Sequence, residues 1–530
     1  MLDLDNQFGA GTTQSMQRMD IPWMLEQWVR RTPDKPCLIW EPFSGDGLSM
    51  SYLELQSAAR RVAAGLHERG VKAGDFVILH LVNSPELLIS WYACAELGAV
   101  AVTTNTRSVA RDLCYFAEHT QAVCAITQPC FAQLIHDSCD DLRFLVVTDN
   151  DAGELAAVPD DLACITFDAL SHSRRSIPAL FADPQRNLCV LFTSGTTSQP
   201  KAVLWTHANG LWAGRVTASH LQLTPTDITL AFLPMFHVNA LGYSMLATHW
   251  SGGTVVLQPK FSASRFWDVS IKHKVSWGST VWFPLQALLK QAVPEHHYRF
   301  WGTGAHFAEA SAYFKVPIMG WWAMTETLTQ GIVTDPHHPG PDMTIGRVAN
   351  EYEIQIRRTD GSLVGPGESG SLYIRGVRGV SMFKEYYRNP EANAKAFDAN
   401  GWFETGDNIC MDEEGWLFFG DREKDMLRVG DENVASMEVE SVIMQTGLVN
   451  ECAVVGQSHN MLYEVPVVFV IPAKDAATDT LKDDIIRSCQ ENLADFKVVR
   501  DVHIVDTLPR STLEKVAKNE LRALLPEISS

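Results

Sequence analysis

A loop rich in hydroxyl groups and glycine offers the chemistry of phosphate binding. It occupies residues 193–202, reads Thr-Ser-Gly-Thr-Thr-Ser-Gln-Pro-Lys-Ala, and follows an apolar run at residues 188–192 that predicts a strand. Backbone N–H groups and hydroxyls in such a loop can turn toward one anion, and Lys201 adds a positive charge. The residues predicted to surround the anion are Thr193, Ser194, Gly195, Thr196 and Thr197. The loop therefore predicts a cradle for the phosphates of a nucleotide.

The surroundings of Lys201 separate this loop from that of the P-loop NTPases. A Walker-type loop has glycine directly before its lysine and serine or threonine directly after it. Pro200 and Ala202 occupy those places here. Most clusters of Ser, Thr and Gly are polar surface loops between a strand and a helix, and this loop alone leaves that alternative open.

Further segments along the chain give the loop its context. They are residues 323–327 (Ala-Met-Thr-Glu-Thr), 402–407 (Trp-Phe-Glu-Thr-Gly-Asp), 420–425 (Gly-Asp-Arg-Glu-Lys-Asp), 430–440 (GDENVASMEVE) and 508–515 (Leu-Pro-Arg-Ser-Thr-Leu-Glu-Lys). With the loop they resemble, in order, the motifs of the adenylate-forming enzymes, which include acyl-CoA synthetases, adenylation domains and firefly luciferases. The resemblance covers nearly the whole chain after residue 20. Residues 383–387 and 393–396 are most similar in wording to the crotonobetaine/carnitine-CoA ligase branch.

This resemblance implies a reaction in two steps. A free carboxylate is a poor electrophile, because resonance spreads its charge and it carries no good leaving group. The carboxylate would first attack the α-phosphorus of ATP to give an acyl-adenylate and pyrophosphate, and a thiol would then release AMP. Both steps develop negative charge that fixed donors and cations can stabilise. The implied cofactors are ATP, Mg²⁺ and coenzyme A.

The resemblance also implies a role for each matching residue. The loop and Lys201 would hold the β- and γ-phosphates, Thr325 would contact the α-phosphate, and Glu326 would bind Mg²⁺, which prefers carboxylate oxygen. Asp407 would accept from the ribose diol, and Arg422 would donate to the ribose or phosphate. As isolated residues these would be capping, turn and surface residues. The positions implied to frame the adenine are Gly302, Thr303, Gly304, Ala305, Trp322 and Ala323.

The C-terminal motifs are implied to serve the catalytic lysine, the hinge and the thiol. Lys515 would be the catalytic lysine of adenylation, with Lys518 as the fallback. Lys424 would be the hinge residue that absorbs the backbone change when a C-terminal domain turns between the two steps. Gly430 and Asp431 would line the channel for coenzyme A.

The chain departs from the family pattern at four positions. Ser198 and Ala202 replace glycines in the phosphate loop, and both are small enough to leave phosphate binding in place. Asp431 replaces a glycine where the thiol arm would pass, and it adds a negative charge there. Glu514 replaces the glycine before Lys515 and could pair with that lysine. The last two departures bear on thioester formation and on the lysine geometry.

A segment at residues 235–242 resembles the one that lines the acyl pocket of the family. His237 would lie near the carboxylate entrance, although a structural histidine in a turn is an equal alternative. Phe236 and His237 offer no aspartate for an α-amino group, which argues against an α-amino acid. The implied pocket residues are His237, Val238, Trp282 and Gly304.

The tryptophans near these segments favour an aromatic pocket wall. They are Trp277, Trp282, Trp301, Trp321 and Trp322. Such a wall suits an aryl acid or, through cation–π contact, a trimethylammonium acid, and the branch resemblance favours the second. An aliphatic acid stays open, and tryptophans that simply fill a core are the plain alternative.

Composition and charge limit the class of partner. The chain has 530 residues, 46% of them apolar, and a net charge of −20, which argues against nucleic acid or an anionic membrane surface as the partner. Its eleven cysteines form no C-x-x-C pair and indicate reduced thiols. The first residues lack the apolar region of a secretory signal, and no apolar run is long enough to span a bilayer. We expect a cytoplasmic monomer or homodimer without integral membrane association.

The elements that must position these residues alternate between helix and strand. Residues 52–69 and 86–97 predict helices, and residues 76–82 and 100–104 predict strands, which together favour parallel sheets covered by helices. After about residue 339 the chain changes to short β-rich pieces, such as residues 353–356 and 370–374. The last hundred residues or so predict an α+β unit, with strands at 452–455 and 465–470 and a helix at 481–493.

We therefore predict an α/β protein with a large N-terminal domain and a small mobile C-terminal domain. Residues 1–20 are a predicted loose tail, and residues 21–422 a domain of two helix-covered sheets plus a small β-barrel at about 339–422. Residues 423–530 are the predicted α+β lid, with its hinge at 423–425.

The predicted function is an ATP-dependent acid–thiol ligase that joins a small or medium carboxylic acid to coenzyme A. Two alternatives stay open: an enzyme that loads its acyl-adenylate onto a carrier protein in trans, and a catalytically weak nucleotide-binding protein. Asp431 and Glu514 motivate the second alternative. Oxidation of the adenylate, as in a luciferase, is a remote third.

Overall fold

The computed structural model describes residues 16–151, 153–158, 162–173, 175–193, 200–419, 426–430, 432–473, 479–509 and 516–525. The α-helices are α1 (Ile21–Arg31), α2 (Tyr52–Glu68), α3 (Pro85–Leu97), α4 (Ala110–Thr120), α5 (Pro129–Ser138), α6 (Phe167–Ser171), α7 (His207–His220), α8 (Ala247–Ser251), α9 (Phe266–Lys272), α10 (Trp282–Leu288), α11 (Ala308–Phe314), α12 (Pro390–Ala396), α13 (Ser436–Gln445), α14 (Leu481–Asn492) and α15 (Lys518–Ala523). A π-helix (Asn239–Leu246) precedes α8, and a 3₁₀ turn (Asp495–Lys497) follows α14.

Strands are numbered in chain order. Those before α7 are β1 (Pro36–Trp40), β2 (Leu48–Ser51), β3 (Phe76–His80), β4 (Val100–Thr103), β5 (Cys124–Thr127), β6 (Phe144–Val147), β7 (Asn150–Asp151), β8 (Glu154–Leu155), β9 (Ile165–Thr166), β10 (Asn187–Thr193) and β11 (Lys201–Thr206). Those after it are β12 (Ile228–Ala231), β13 (Thr254–Leu257), β14 (Trp277–Ser279), β15 (Phe300–Thr303), β16 (Ile318–Trp322), β17 (Ile332–Val333), β18 (Arg347–Val348), β19 (Glu353–Arg357), β20 (Ser369–Arg375), β21 (Glu385–Tyr386), β22 (Phe403–Met411), β23 (Leu417–Phe419), β24 (Met426–Val429), β25 (Glu432–Ala435), β26 (Val449–His459), β27 (Tyr463–Pro472) and β28 (Asp501–Ile504).

Two large sheets dominate the N-terminal part. One has eight strands in the order β21-β11-β10-β4-β3-β5-β6-β9, and the other has nine in the order β18-β17-β16-β15-β14-β12-β13-β1-β2. Their central strands pair in parallel and are buried along their length, as continuous apolar runs require of sheets covered on both faces. The predicted helix-covered α/β architecture is confirmed.

Local sequence explains why the helices begin and end where they do. Ser51 and Glu54 form a capping box at the start of α2, since each side chain accepts a hydrogen bond from the other's backbone N–H. Ser84 caps α3, which ends at Gly98 with a φ of 73°. The helices lie within a residue or two of their predicted bounds, as does the strand predicted at 100–104.

The phosphate loop joins two antiparallel strands and not a strand and a helix. β10 pairs with β11 so that Thr193 lies opposite Lys201 across the mouth of the loop. The register brings the two ends of the loop together, because residues that face each other across a ladder are close neighbours. Helix α7 begins only after β11.

Two smaller sheets follow. The part predicted to be barrel-like is a four-stranded antiparallel sheet, β19-β20-β22-β23. The C-terminal part contains a five-stranded sheet of β24 to β28, with hydrophobic cores made only of residues from 427 onward.

At the N-terminal end of the chain, Met16 is buried in the core and Asp20 caps α1. Packing therefore begins inside the predicted tail of residues 1–20, which is a correction to its predicted end. Within the described ranges no helix is both long and apolar enough to cross a membrane.

Candidate active site

A cavity of about 890 Å³ opens at the carboxyl ends of strands from both large sheets. Thr193 at the end of β10, Gly304 just after β15 and Trp322 at the end of β16 all line it. Ligands of α/β proteins bind at this edge of a sheet, where loops leave the parallel strands. Residues from the C-terminal part, including Arg428, Glu432 and Phe496, line the same cavity. The site therefore lies between the two parts of the chain.

Glu326 is held rigidly on the phosphate side of this cavity. It is 4% exposed, and its Oε1 accepts a hydrogen bond of 2.8 Å from the Tyr386 hydroxyl. Its carbonyl accepts from the backbone N–H of Phe383, and the neighbouring Thr325 carbonyl accepts from the Trp205 indole. Burial raises the pKa of Glu326 above its usual value, against the opposing effects of Tyr386 and Lys201.

Lys201 brings positive charge to the same place. It starts β11 opposite Thr193, and its Nζ lies 4.8 Å from the centre of the Tyr386 ring. Tyr386 is positioned in turn by β21, which pairs with β11. One tyrosine therefore contacts both the buried carboxylate and the lysine.

Trp322 and Asp407 join the nine-stranded sheet to the small antiparallel sheet. The Trp322 indole donates a hydrogen bond of 2.9 Å to Asp407 Oδ2, and both residues line the cavity. The backbone N–H of Asp407 donates to Thr405 Oγ1, which holds the turn. This contact leaves Asp407 Oδ1 as an acceptor for a further donor such as a ribose hydroxyl.

Fewer residues of the segment predicted to frame the adenine line the cavity than its sequence suggests. Gly304 and Ala323 line the cavity. The described residues that line it do not include Gly302, Thr303 or Ala305. Thr303 is buried, and its hydroxyl donates to the Ala305 carbonyl. Gly302 lies under the Trp321 ring, where an added Cβ would come within 1.6 Å of a ring carbon.

The other end of the cavity is apolar and aromatic. We call it the acyl end and define it by Val238, Asn239, Tyr243, Thr280, Gly304 and Trp321. Of the predicted tryptophans, Trp321 and Trp322 reach the cavity, whereas Trp277 and Trp301 are buried in cores beside it. The prediction of an aromatic wall was wrong for those two, because their strands turn them toward neighbouring rings. The Trp282 side chain is not among those described.

His237 lies between the acyl end and the C-terminal part. Its Nε2 is 3.3 Å from Glu432 Oε2, and Glu432 Oε1 accepts a hydrogen bond of 2.9 Å from the Asn105 amide. Burial raises the pKa of Glu432, but His237, Arg107 and Asn105 outweigh burial and leave that pKa below its usual value. The carboxylate of Glu432 is therefore ionised and connects the two parts of the chain across the cavity.

Several predicted residues lie outside the described ranges or outside the cavity. Those outside the described ranges are Ser194, Gly195, Thr196, Thr197, Arg422, Lys424, Asp431 and Lys515. Gly430 is described with a φ of 62°, and its N–H donates to the Leu462 carbonyl. Lys518 is mostly buried, donates to Ser436 Oγ and pairs with Glu440 at 2.6 Å inside the C-terminal part. Neither residue is among those that line the cavity.

Sequence reasoning missed three residues that matter in this arrangement. Tyr386 is 60 positions from its partner Glu326, and no local pattern links them. Glu432 lay inside the motif at 430–440 but carried no role of its own. Tyr243 lies on the π-helix that begins at Asn239, and no apolar period indicates the widened turn of such a helix. Only the position of Glu432 in a recognised motif was a usable signal.

The donor set fits ATP with one divalent cation. Mg²⁺ is usually bound by one or two carboxylates together with phosphate oxygens and waters, not by an all-protein cage. Glu326 supplies one such carboxylate beside Lys201, and the described residues contain no group of three or more His, Cys, Asp or Glu that could hold a metal alone. The buried acid with its raised pKa is a group that a nearby cation would ionise.

This fold and this cavity define an adenylate-forming enzyme. The sequence model of the AMP-binding enzymes matches residues 25–387, and that of the AMP-binding enzyme C-terminal domain matches residues 438–515. The chain belongs to the AMP-binding enzyme family. It is an acid–thiol ligase of the AMP-forming type, as the sequence predicted.

Named relatives and solved structures agree with this assignment. A crotonobetaine/carnitine-CoA ligase of Escherichia coli is 32% identical over 508 residues, which are 92% of this chain and 96% of the relative. An o-succinylbenzoate CoA synthetase of Bacillus subtilis, a double mutant bound with the product analogue OSB-NCoA, is 27% identical with a TM-score of 0.81 over 94% of this chain and 97% of that one. The same synthetase with ATP and magnesium ion has a TM-score of 0.67 over 94% and 99%.

Proposed function

We propose that this cavity activates a small or medium carboxylic acid with ATP and then transfers the acyl group to coenzyme A, with the residue roles given below. The observation that carries the proposal is the meeting in one cavity of Lys201, Glu326, Asp407, His237 and Glu432. The first three suit phosphate, cation and ribose, and the last two adjoin the acyl end and the C-terminal part. A nucleotide-binding protein without ligase activity would not need the last two.

In the first half-reaction the chain acts by position and charge. Lys201, together with the phosphate loop, balances the charge that builds on the leaving pyrophosphate. Glu326 would hold Mg²⁺, which would supply positive charge against the triphosphate when bound. Trp322 fixes Asp407 against the ribose, and Thr325, with its backbone held by Trp205, contacts the α-phosphate.

The position of the C-terminal part supports the proposal that the described arrangement serves the second half-reaction, which is thioester formation. Glu432, Phe496 and Lys497 line the cavity, whereas the described neighbours of Lys515, residues 508–509 and 516–518, do not. One synthetase matches with a TM-score of 0.81 when bound with a product analogue and 0.67 with ATP and magnesium. A rotation of the C-terminal part as a unit between the two half-reactions accounts for both observations.

The test of this proposal is a panel of carboxylic acids scored for pyrophosphate release with and without coenzyme A. The panel contains aryl, aliphatic and trimethylammonium acids, because the E. coli relative is named for crotonobetaine and carnitine. Acyl-CoA with AMP and pyrophosphate is the expected product. Pyrophosphate release that needs a carrier protein in place of coenzyme A would favour the alternative acceptor, and ATP binding without any release would contradict ligase activity.

Asp407→Asn is expected to raise the KM for ATP roughly 10- to 100-fold, the loss that follows removal of a charge-assisted hydrogen bond. The kcat should change less, because the ribose contact is made equally in the ground and transition states. Asparagine keeps an oxygen for the Trp322 indole, so the local packing survives. Initial rates against ATP concentration measure the effect. Asp412→Asn, at a turn where Asp412 accepts from the backbone N–H groups of Glu414 and Trp416, is the matched control and should keep the wild-type KM.

Glu432→Gln is expected to slow thioester formation roughly tenfold while adenylation stays the same or becomes faster. The substitution keeps an oxygen for Asn105 but removes the charge that faces His237, so the described domain arrangement becomes less populated. Single-turnover assays with supplied acyl-adenylate and with ATP separate the two steps. Asp501→Asn, in an exposed pair with Lys482, is the control. Equal slowing of both steps would count against a role in domain positioning.

We further propose the predicted limits of the two large domains, residues 21–422 and 423–530, with a hinge at residues 423–425, and a monomer or homodimer in the cytoplasm. All eleven cysteines are free thiols, which suits a reducing compartment. Light scattering after size exclusion would give the oligomeric state, and limited proteolysis followed by mass analysis would test whether cleavage falls at residues 423–425.

A further inference from the structure

Helix α4 contacts both described ends of the phosphate loop. The Tyr115 hydroxyl donates a hydrogen bond of 3.0 Å to the Pro200 carbonyl, directly before the start of β11. At the other end, the Phe116 ring stacks on the Phe192 ring near the end of β10, with the ring centroids 4.1 Å apart. All four of these residues line the cavity. One helix therefore contacts the chain where it enters the loop and where it leaves the loop.

The same helix reaches the chain on the far side of Lys201 through Tyr387. His119 Nε2 lies 2.7 Å from the Tyr387 carbonyl, and this nitrogen carries the proton, because a carbonyl can only accept. The backbone N–H of Tyr387 donates in turn to the Ala202 carbonyl at 2.8 Å. Tyr115 and His119 are four positions apart on α4, and their ring centroids are 5.2 Å apart. Both contacts therefore come from one face of the helix.

Lys201 thus lies between two carbonyls that are held in place, those of Pro200 and Ala202. A lysine ammonium is a point charge on a flexible four-carbon stem, so its position depends on a fixed backbone and on a contact for the side chain itself. The Tyr386 ring supplies that contact, with its centre 4.8 Å from the lysine Nζ. Tyr386 directly precedes Tyr387, so the contacts made by α4 also hold the segment that carries this ring.

Ordinary packing does not require these polar contacts. A helix that covers a sheet buries apolar side chains against it, as α4 does with Leu113, Phe116 and Ala117. Tyr115 and His119 are only partly buried, and each donates to a backbone carbonyl of another segment. Groups that are ordered in advance lower the cost of binding a ligand, because less freedom is lost when the ligand arrives. The two contacts therefore favour a backbone that is in place before the nucleotide binds.

We propose that Tyr115 is a positioning residue for the nucleotide phosphates. Through Pro200 it holds Lys201 where the ammonium meets the β- and γ-phosphates, and His119 supports the same backbone through Tyr387. The inference deepens the proposed function and rests on the phosphate role given there to Lys201. AMP lacks the β- and γ-phosphates, so the contribution of Tyr115 belongs to the binding of ATP and not to that of AMP.

Calorimetric titrations of Tyr115→Phe with ATP and Mg²⁺, and separately with AMP, test the inference. Phenylalanine keeps the ring and removes only the hydroxyl, so ATP should bind roughly 3- to 10-fold more weakly, the scale of one neutral hydrogen bond. The affinity for AMP and the rate of thioester formation from supplied acyl-adenylate should stay at their wild-type values. His119→Phe should show the same selectivity to a smaller extent, because its contact reaches the loop through one more residue.

A matched control and a double variant separate positioning from a general structural role. Tyr313 donates a hydrogen bond of 2.8 Å to the Gln291 carbonyl, the same kind of contact, and it is not among the described residues that line the cavity. Tyr313→Phe should therefore keep the wild-type affinities for both nucleotides. If Tyr115 acts through Lys201, Tyr115→Phe should weaken ATP binding little further in a Lys201→Ala background, since two changes that remove one interaction are not additive.

Different results overturn different claims. Equal weakening of ATP and AMP binding in Tyr115→Phe, no weakening of either, or a loss that is fully additive with Lys201→Ala would overturn the inference and leave the proposed ligase intact. A Lys201→Ala variant that keeps the wild-type ratio of ATP affinity to AMP affinity would overturn the phosphate role of Lys201 and this inference with it.

Discussion

Glu326→Gln is expected to lower the rate of pyrophosphate release roughly 10²- to 10³-fold, the scale of losing one preorganised electrostatic group in a water-poor site. Glutamine keeps the shape and accepts from Tyr386, but it lacks the negative charge that would hold Mg²⁺ in the proposed role of Glu326. The loss should appear mainly in kcat, with a higher Mg²⁺ concentration needed for half-saturation. A continuous pyrophosphate assay at saturating acid measures both quantities.

Two controls accompany Glu326→Gln. Glu391 also lines the cavity but lies at its exposed rim in a pair with Lys395, so Glu391→Gln should keep nearly the full rate. Tyr386→Phe removes only the hydrogen bond to Glu326 and should have a much smaller effect than Glu326→Gln. Loss of activity in Glu391→Gln equal to that in Glu326→Gln would indicate a general charge effect and contradict the assignment.

The raised pKa of Glu326 gives this assignment a pH signature. Burial strengthens proton binding by this carboxyl in the folded protein, so a bound cation must displace the proton. The half-saturating Mg²⁺ concentration should therefore rise as the pH falls below neutrality, and Glu326→Gln should lack that dependence. Without nucleotide, the folded state binds this proton more tightly than the unfolded state, so stability from this group falls as the pH rises above 4.5. Melting temperatures of the wild-type protein and of Glu326→Gln across pH check the sign of this contribution to stability.

The architecture was predictable because local sequence patterns indicate its strands and helices. Buried strands such as β3 and β4 are short apolar runs, and the helices between them carry caps such as Ser51 and Ser84 in the sequence itself. The pairing of strands was not predictable in the same way. That the phosphate loop closes a hairpin depends on Thr193 facing Lys201, a contact set by the register of a whole ladder.

The site was predictable where motifs carry it and not where packing makes it. Glu326 and Asp407, which the motifs singled out, both line the cavity, and their ligand roles stay predictions. The Tyr386 contact that holds Glu326 joins segments 60 positions apart. Trp277 and Trp321 look alike in the sequence, yet one fills a core and the other lines the acyl end.

Lys515→Ala is expected to reduce adenylation roughly 10²- to 10³-fold and to spare thioester formation from supplied acyl-adenylate. Its described neighbours on both sides, residues 508–509 and 516–518, are not among the residues that line the cavity, whereas Glu432 and Phe496 are. If the C-terminal part turns between the steps, a lysine of this segment serves the step for which the segment faces the cavity, and the described arrangement is the other one. Parallel single-turnover assays of the two steps measure the split.

Lys518→Ala makes this last prediction sharp, because Lys518 is the neighbouring candidate for the same role. Its Nζ is already used by Ser436 and Glu440 inside the C-terminal part, so its removal should lower the melting temperature and affect both steps only through folding. A selective loss of adenylation in Lys518→Ala would transfer the role to that residue. Equal loss of both steps in Lys515→Ala would contradict the alternation itself, since a group that faces the acid and the α-phosphate in only one arrangement cannot serve both.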